Sequence, residues 1–167
     1  MFLMAPILLR PESTGHLELQ STDPMQHPKI FANFFRSARD VNVLASGAMW
    51  SLRVAQRLSQ QTSSASGVRL NAAKVPGCRQ HNLYSSQYWR CAVRHTAATT
   101  FHVAGTCKMG PARDPTAVVD AQLKVHGVKA LRVVDASVMP KIVSGNTMAP
   151  VYMIAEKAAD MIMAAWA

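Results

Sequence analysis

Between Asp40 and Asp114 the chain has no acidic residue at all. The same interval holds nine basic ones, Arg53, Arg57, Arg69, Lys74, Arg79, Arg90, Arg94, Lys108 and Arg113, so the net charge of +9 on 167 residues belongs to this middle segment and the remainder is neutral. Long apolar runs are lacking too. The stretch from Phe2 to Leu9 is interrupted by Pro6, and nothing approaches the roughly 20 residues that cross a bilayer, which excludes a membrane span. The start has no basic n-region before that run and no small-x-small site after it, so it reads as a buried strand entering a Pro11-Glu12-Ser13-Thr14-Gly15 turn rather than as a signal peptide. The three cysteines, Cys78, Cys91 and Cys107, form no C-x-x-C pair, which excludes zinc-ribbon and thioredoxin-like sites and a disulfide scaffold. Cys78 and Cys91 either pair, in an extracellular setting, or remain two buried thiols. No G-x-G-x-x-G occurs, so the usual dinucleotide fingerprint is missing. A pI near 10.0 is an electrostatic footprint of nucleic-acid binding, but no basic run exceeds one residue and no recognition motif accompanies it, so a nucleic-acid partner is not expected.

What is present is a composition 49% hydrophobic and 16% charged, the balance of one folded domain with a real core. A chain of this length buries about two thirds of its surface on folding. The first forty residues alternate in His16-Leu-Glu-Leu-Gln20 and are broken by Pro, Gly and Asp-Pro, which predicts short strands joined by turns. Asp40 reads as the N-cap of a helix whose apolar positions are Val41, Leu44, Ala48, Leu52, Ala55 and Leu58, ended by the run from Gln61 to Gly67. A second helix begins after Ser85 or Ser86, with Tyr88, Cys91, Ala92 and His95 on one face and Arg90 and Arg94 on the other. Residues 68–84 read as loop, with a turn at Pro76-Gly77. From residue 99 short β-rich runs follow one another, Ala117–Asp120, Leu123–Val125 and Ala130–Ala136, and Val133 beside Val134 suggests a strand buried on both faces. The end is helical, with Pro150 in the first turn and Val151, Ile154, Ala155, Ala158, Met161, Ile162 and Ala165 on the apolar side.

Gly105-Thr-Cys-Lys-Met-Gly110 has the two glycines of a P-loop but continues Pro111-Ala112, without the Lys and Ser or Thr that reach phosphates and magnesium. A more promising constellation joins His102, the strand end Val134-Asp135-Ala136-Ser137, and the Ser144-Gly145-Asn146-Thr147 run that opens the last helix. A helix N-terminus there would present unpaired N–H groups and the positive end of the dipole to an anion, a phosphate or a reduced flavin ring. A histidine at the edge of that cleft can serve as general base near neutral pH, although histidines are more often structural, and Asn146 alone would be read as a simple N-cap.

These segments, FHVAGTCKMG, then AVVDAQLKVHGVKALRVVDAS, then SGNTMAP with MIAEKAADMI, resemble the C-terminal part of the glucose-methanol-choline (GMC) flavoprotein oxidoreductases, most of all their arthropod glucose dehydrogenase-like branch. The strong match covers residues 101–163. The resemblance implies an α+β, partial GMC fold: residues 1–100 as part of the substrate-binding domain with an antiparallel sheet and flanking helices, and residues 101–167 as the catalytic, FAD-contacting segment with the last strand and helix of the FAD domain. It implies FAD as cofactor and an alcohol or sugar as substrate, with hydride passing from the carbinol carbon to flavin N5. The histidine of its His-x-x-Gly-Thr motif, the catalytic base, falls on His102, and its second active-site position falls on Asn146. Asp135 and Ala136 match the segment that lies against FAD, and Thr147 and Met148 the stretch that meets the flavin ring. Val103 stands where the family commonly has Pro, and Met148 where it commonly has Asn. The resemblance is compatible with an extracellular setting while leaving localisation open, and it implies a missing N-terminal FAD-binding region, so the isolated chain is expected to bind FAD weakly or not at all and to leave its last helix and the Leu131–Val134 strand uncovered. The rival expectation is a non-catalytic remnant that acts as an interaction module.

Overall fold

Helical periodicity is realised where it is longest. The computed structural model describes residues 3–61 and 69–166. It contains strands β1 (His16–Glu18) and β2 (Lys29–Phe31), helices α1 (Ala38–Gln61), α2 (Ser86–Thr96) and α3 (Met148–Trp166), and 3₁₀ turns at Pro76–Cys78 and Ala136–Val138. Instead of the single domain that composition predicts, the chain forms two compact units, Met1–Gly15 with Phe31–Ala98, and His16–Ile30 with Thr99–Ala167. Strands β1 and β2 pair as a two-stranded sheet, exposed along both strands.

The first unit is built on α1 and α2. Val41, Ala45 and Val93 are buried together, with Phe35, Leu44 and Trp89 packed against them, and small side chains at 45, 48 and 92 let the two helices approach closely. Helix α1 begins at Ala38, two residues before the expected cap. Asp40 lies inside its first turn, 1% exposed, and its two carboxylate oxygens accept the N–H groups of Glu12 (2.9 Å) and Ser13 (2.8 Å). Burial raises the Asp40 pKa, but these two N–H bonds, the Ser13 side chain and nearby Arg39 outweigh it and hold the group below its ordinary value. Of the proposed stripe, Leu58 is exposed, and the end signal from 62 to 67 lies outside the described residues. The N-terminal segment is not a buried strand. It has no strand and no partner strand among the described residues, Leu3, Ile7 and Leu9 are exposed, and Pro6, which has no N–H for a ladder, sits against Gly47 of α1.

Helix α2 follows its sequence signals closely. Ser85 is the N-cap, its hydroxyl accepting the Tyr88 N–H at 3.1 Å. Tyr88 and Ala92 are buried with Cys78, whereas Arg90 and Arg94 face solvent. The loop before it is fixed by side chains. Val75 N–H donates to the Tyr88 hydroxyl, Lys74 Nζ donates to the carbonyls of Arg79 and His81, and the Tyr84 hydroxyl donates to Asn71 O. Of the two readings open for Cys78 and Cys91, the structure has the disulfide, with Cα atoms 5.8 Å apart.

The second unit is mostly irregular. Its core is Val119, Leu123, Val138 and Ala158, with Met109, Val118, Val125, Val133 and Ile154 against it. The β-rich runs do not become strands. They meet only in isolated bridges, Met109 with Val119, Val119 with Val125, and Lys124 with Arg132. Turns come too often for a ladder: Asp120 accepts the N–H groups of Gln122 and Lys124, and Leu123, Gly127 and Ala130 all have positive φ. The expected doubly buried strand at Leu131–Val134 is likewise not formed, and Leu131 (48%) and Val134 (37%) are exposed. Along α3, Ala158 is buried and Val151, Ile154 and Met161 are half-buried, but Ala155, Ile162 and Ala165, expected on the same face, are exposed. The covered stripe is narrower than the apolar one.

Candidate functional site

Three of the singled-out residues meet in the second unit. His102 Nδ1 lies 3.0 Å from Thr147 Oγ1, and His102 Nε2 lies 3.3 Å from Asn146 Oδ1, so two consecutive residues at the head of α3 engage both nitrogens of one ring. Thr147 is the helix cap, since Val151 N–H donates to its carbonyl at 3.1 Å and Met148 is the first helical residue. Its side chain is buried, whereas Asn146 is exposed and His102 half-buried.

Backbone constraints on either side place the imidazole. Phe101, just before it, has φ of 60°, an uncommon conformation for a bulky side chain, and its N–H donates to Thr99 Oγ1 at 3.0 Å. Gly105, three residues after it, has φ of 87°, and a Cβ there would lie 3.2 Å from Met139 O. From Gly105 onward the chain is laced to the Ala136–Val138 turn: Gly105 N–H to Ala136 O, Cys107 N–H to Ser137 O, and Met109 N–H to Val138 O. Gly110 N–H goes to Val119 O, and Lys108 Nζ lies 2.9 Å from Asp114 Oδ2. The P-loop-like segment has therefore spent these donors and its lysine within the protein, which agrees with rejecting it as a phosphate cradle.

Asp135 and Ala136 are joined to this arrangement through the backbone. Asp135 Oδ1 accepts the Ser137 N–H at 2.7 Å and closes the 3₁₀ turn, and Ala136 O takes the Gly105 bond. Met148 is exposed at the first position of α3. Its N–H and that of Ala149 precede the first intrahelical bond, Pro150 has no N–H, no acid stands in the first turn, and a Cβ on Gly145 would meet nothing within 4 Å. The head of α3 is thus an open pair of N–H donors at the positive end of a 19-residue helix, one residue from the imidazole. That donor set suits a flavin ring that gains negative charge.

Two features of the site were not legible as such. The resemblance matches Thr147 to the stretch that meets the flavin ring, and its hydroxyl contact with a ring 45 residues away has no local signature. In the sequence Asp114 marks only the end of the acid-free interval. It is a structural node, accepting from the Thr116 hydroxyl and N–H as well as from Lys108, and the Asp-x-Thr spacing was the available signal. In the first unit, His95 Nδ1 lies 3.7 Å from Cys78 Sγ and 3.8 Å from Cys91 Sγ, but the sulfurs are bonded to each other and offer no thiolate to a metal in this state. No helix is long and apolar enough to cross a membrane among the described residues.

The chain is 46% identical over 161 residues to glucose dehydrogenase [FAD, quinone] of Drosophila pseudoobscura pseudoobscura, covering 96% of this chain and 25% of that protein. It is 43% identical over 154 residues to the mitochondrial choline dehydrogenase of Mus musculus, covering 92% and 24%. Among solved structures, a variant of formate oxidase from Aspergillus oryzae RIB40 superposes with a TM-score of 0.78 at 36% identity, over 94% of this chain and 26% of that one. The chain therefore spans about a quarter of the length of the relatives it matches. With the GMC oxidoreductase pattern matching residues 11–155, the chain belongs to the GMC oxidoreductase family.

Proposed function

We propose that this chain is the C-terminal, active-site portion of an FAD-dependent oxidoreductase acting on CH–OH groups of an alcohol or sugar. The observation that carries the reading is the engagement of both His102 nitrogens by Asn146 and Thr147 at the head of α3. FAD, when bound, supplies the acceptor for the hydride that leaves the carbinol carbon. The head of α3, with the N–H groups of Met148 and Ala149, would lie against its ring, and Asp135 and Ala136 would hold it from the adjoining turn. His102 takes the hydroxyl proton of the substrate on Nε2, and Asn146 hydrogen-bonds the same oxygen, so the substrate leaves as a carbonyl compound after losing one proton and one hydride. Residues 1–100 would contribute walls of the substrate domain, and residues 101–167 the catalytic and FAD-facing segment. The Cys78–Cys91 disulfide suits an oxidising compartment.

The test is steady-state reduction of an artificial electron acceptor by the FAD-loaded polypeptide that carries this sequence, across a panel of alcohols and sugars. Replacing His102 by Ala is expected to lower kcat by about 10²- to 10⁴-fold with flavin content unchanged. A folded, flavin-loaded His102→Ala protein with undiminished turnover would sink the general-base assignment. A folded protein that neither takes up FAD nor turns over any donor would favour the interaction-module alternative, for which the exposed apolar side of α3 (Tyr152, Met153, Met163, Trp166) is the candidate surface.

A further inference from the structure

We propose that Thr147 is a positioning residue that decides which nitrogen of His102 is basic; the inference rests on the general-base reading of His102. An N-cap threonine ordinarily spends its hydroxyl on the N–H of the second or third helical residue. Here the third helical residue is Pro150, which has no N–H, and the Thr147 hydroxyl turns to His102 Nδ1 at 3.0 Å. The side chain is buried at 8% exposure, and its β-branch restricts χ1, so the direction of the hydroxyl is held by packing and by covalent geometry together.

A hydroxyl can accept as well as donate, so the contact suits either tautomer, and the role assigned to Thr147 is that of acceptor. When Nδ1 carries the proton and donates it to Thr147 Oγ1, the lone pair is on Nε2; Asn146 Oδ1 beside it offers no donor, so the substrate hydroxyl is the group that donates to Nε2 in the neutral base. Once Nε2 has taken the substrate proton, the ring is an imidazolium with an N–H at both positions. Thr147 Oγ1 at 3.0 Å and Asn146 Oδ1 at 3.3 Å are then the two acceptors it needs. One contact serves both ends of the proton transfer: it orients the neutral base and satisfies the protonated one. Without the hydroxyl, nothing at Nδ1 holds the proton there. The ring then reverts to the tautomer protonated on Nε2, which has no lone pair toward the substrate.

The experiment is ¹⁵N NMR of the histidine side chains in the [¹⁵N]histidine-labelled FAD-loaded protein, with the His102 signals assigned by their loss in His102→Ala. The wild type is expected to show His102 Nδ1 as pyrrole-like and Nε2 as pyridine-like. Thr147→Ser should keep that pattern, and the near-isosteric Thr147→Val should exchange it. In turnover, Thr147→Val is expected to lower kcat about 10- to 100-fold with KM little changed, and Thr147→Ser to recover most of it. A pyridine-like Nδ1 in the wild type overturns the proposal, and so does a Thr147→Val spectrum identical to the wild type in protein shown by circular dichroism to be folded. If Val at this position unfolds α3, the wild-type and Thr147→Ser spectra still decide, because an Nε2-protonated ring in either is incompatible with the assigned role. Failure of the general-base reading shows separately, as undiminished turnover in His102→Ala whatever the nitrogen shifts.

Discussion

Gly105 and Asp114 fix the loop that follows His102 in the chain, each by a different physical effect. At Gly105 the backbone enters the left-handed region and passes so close to Met139 O that any Cβ meets it at 3.2 Å. Gly105→Ala is therefore expected to cost about 1–3 kcal/mol, read as a lowered urea midpoint, and a variant as stable as wild type would show that the loop relaxes freely. Asp114 is held well below the ordinary carboxylate value of 3.8 by the Thr116 hydroxyl first, and by the Lys108 ammonium and Thr116 N–H after it. A depressed folded pKa contributes stability that is complete above the unfolded value and is lost as pH falls toward the folded one. The melting-temperature gap between wild type and Asp114→Asn should accordingly be constant above about pH 5 and close as pH falls below 4. A gap that widens in acid would contradict this sign. The candidates His102, Asn146 and Thr147 sit in short local patterns, a histidine before a Gly-Thr turn and a helix head, whereas Asp135, Ala136 and Met148 became cofactor candidates through the family resemblance. That Thr147 turns its hydroxyl to His102 was not legible, because it depends on two loops 45 residues apart meeting.

Among the elements, the helices and the short strands of the first forty residues were readable, and the β-rich runs after residue 99 were not. The period of 3.6 over α1 and the Ser85 cap of α2 state a local preference that tertiary packing then uses, whereas a strand exists only if another strand lies beside it. Val118, Val119, Val125 and Val133 have strand-like side chains, yet they are packed inward from turns and single bridges. Asp40 shows the converse. As a sequence signal it capped a helix, but in the fold it fastens residues 12 and 13 to the first turn of α1. The 3₁₀ turn Pro76–Cys78 is tied to α2 by the disulfide across a sequence separation of 13 residues. Closing a loop of that length is worth about 3 kcal/mol, so the Cys78→Ser, Cys91→Ser double variant should lose roughly that much in equilibrium urea unfolding. Equal midpoints for the oxidised wild type and the double variant would mean that Tyr88, Ala92 and Val75 hold the turn unaided.

Over the whole molecule, apolar surface and charge have more in common than composition suggests. Trp50 (65% exposed), Tyr152, Met153, Met163 and Trp166 (86%) stand in solvent, although the chain is almost half hydrophobic and long enough for a single core. Met153→Lys with Met163→Lys is expected to raise the concentration at which the chain stays monomeric in sedimentation velocity. Stability should change by no more than about 0.5 kcal/mol, because neither side chain is packed. Unchanged self-association would place the sticky surface elsewhere. Of the nine basic residues in the acid-free interval, seven fall in the first unit, Arg53 and Arg57 on α1, Arg90 and Arg94 on α2 and Arg69, Lys74 and Arg79 between the helices, and Lys108 and Arg113 fall in the second. The linear order of residues determined the helices, the turn chemistry, the family and the candidate site residues, since each is a pattern within a few residues or a run of such patterns. The tertiary structure alone decided the division into two units, the Cys78–Cys91 bond, the collapse of the β-rich runs into bridged turns, and the hydroxyl that faces His102. Each of these depends on groups far apart in sequence being brought to bonding distance, and local propensity carries no term for that.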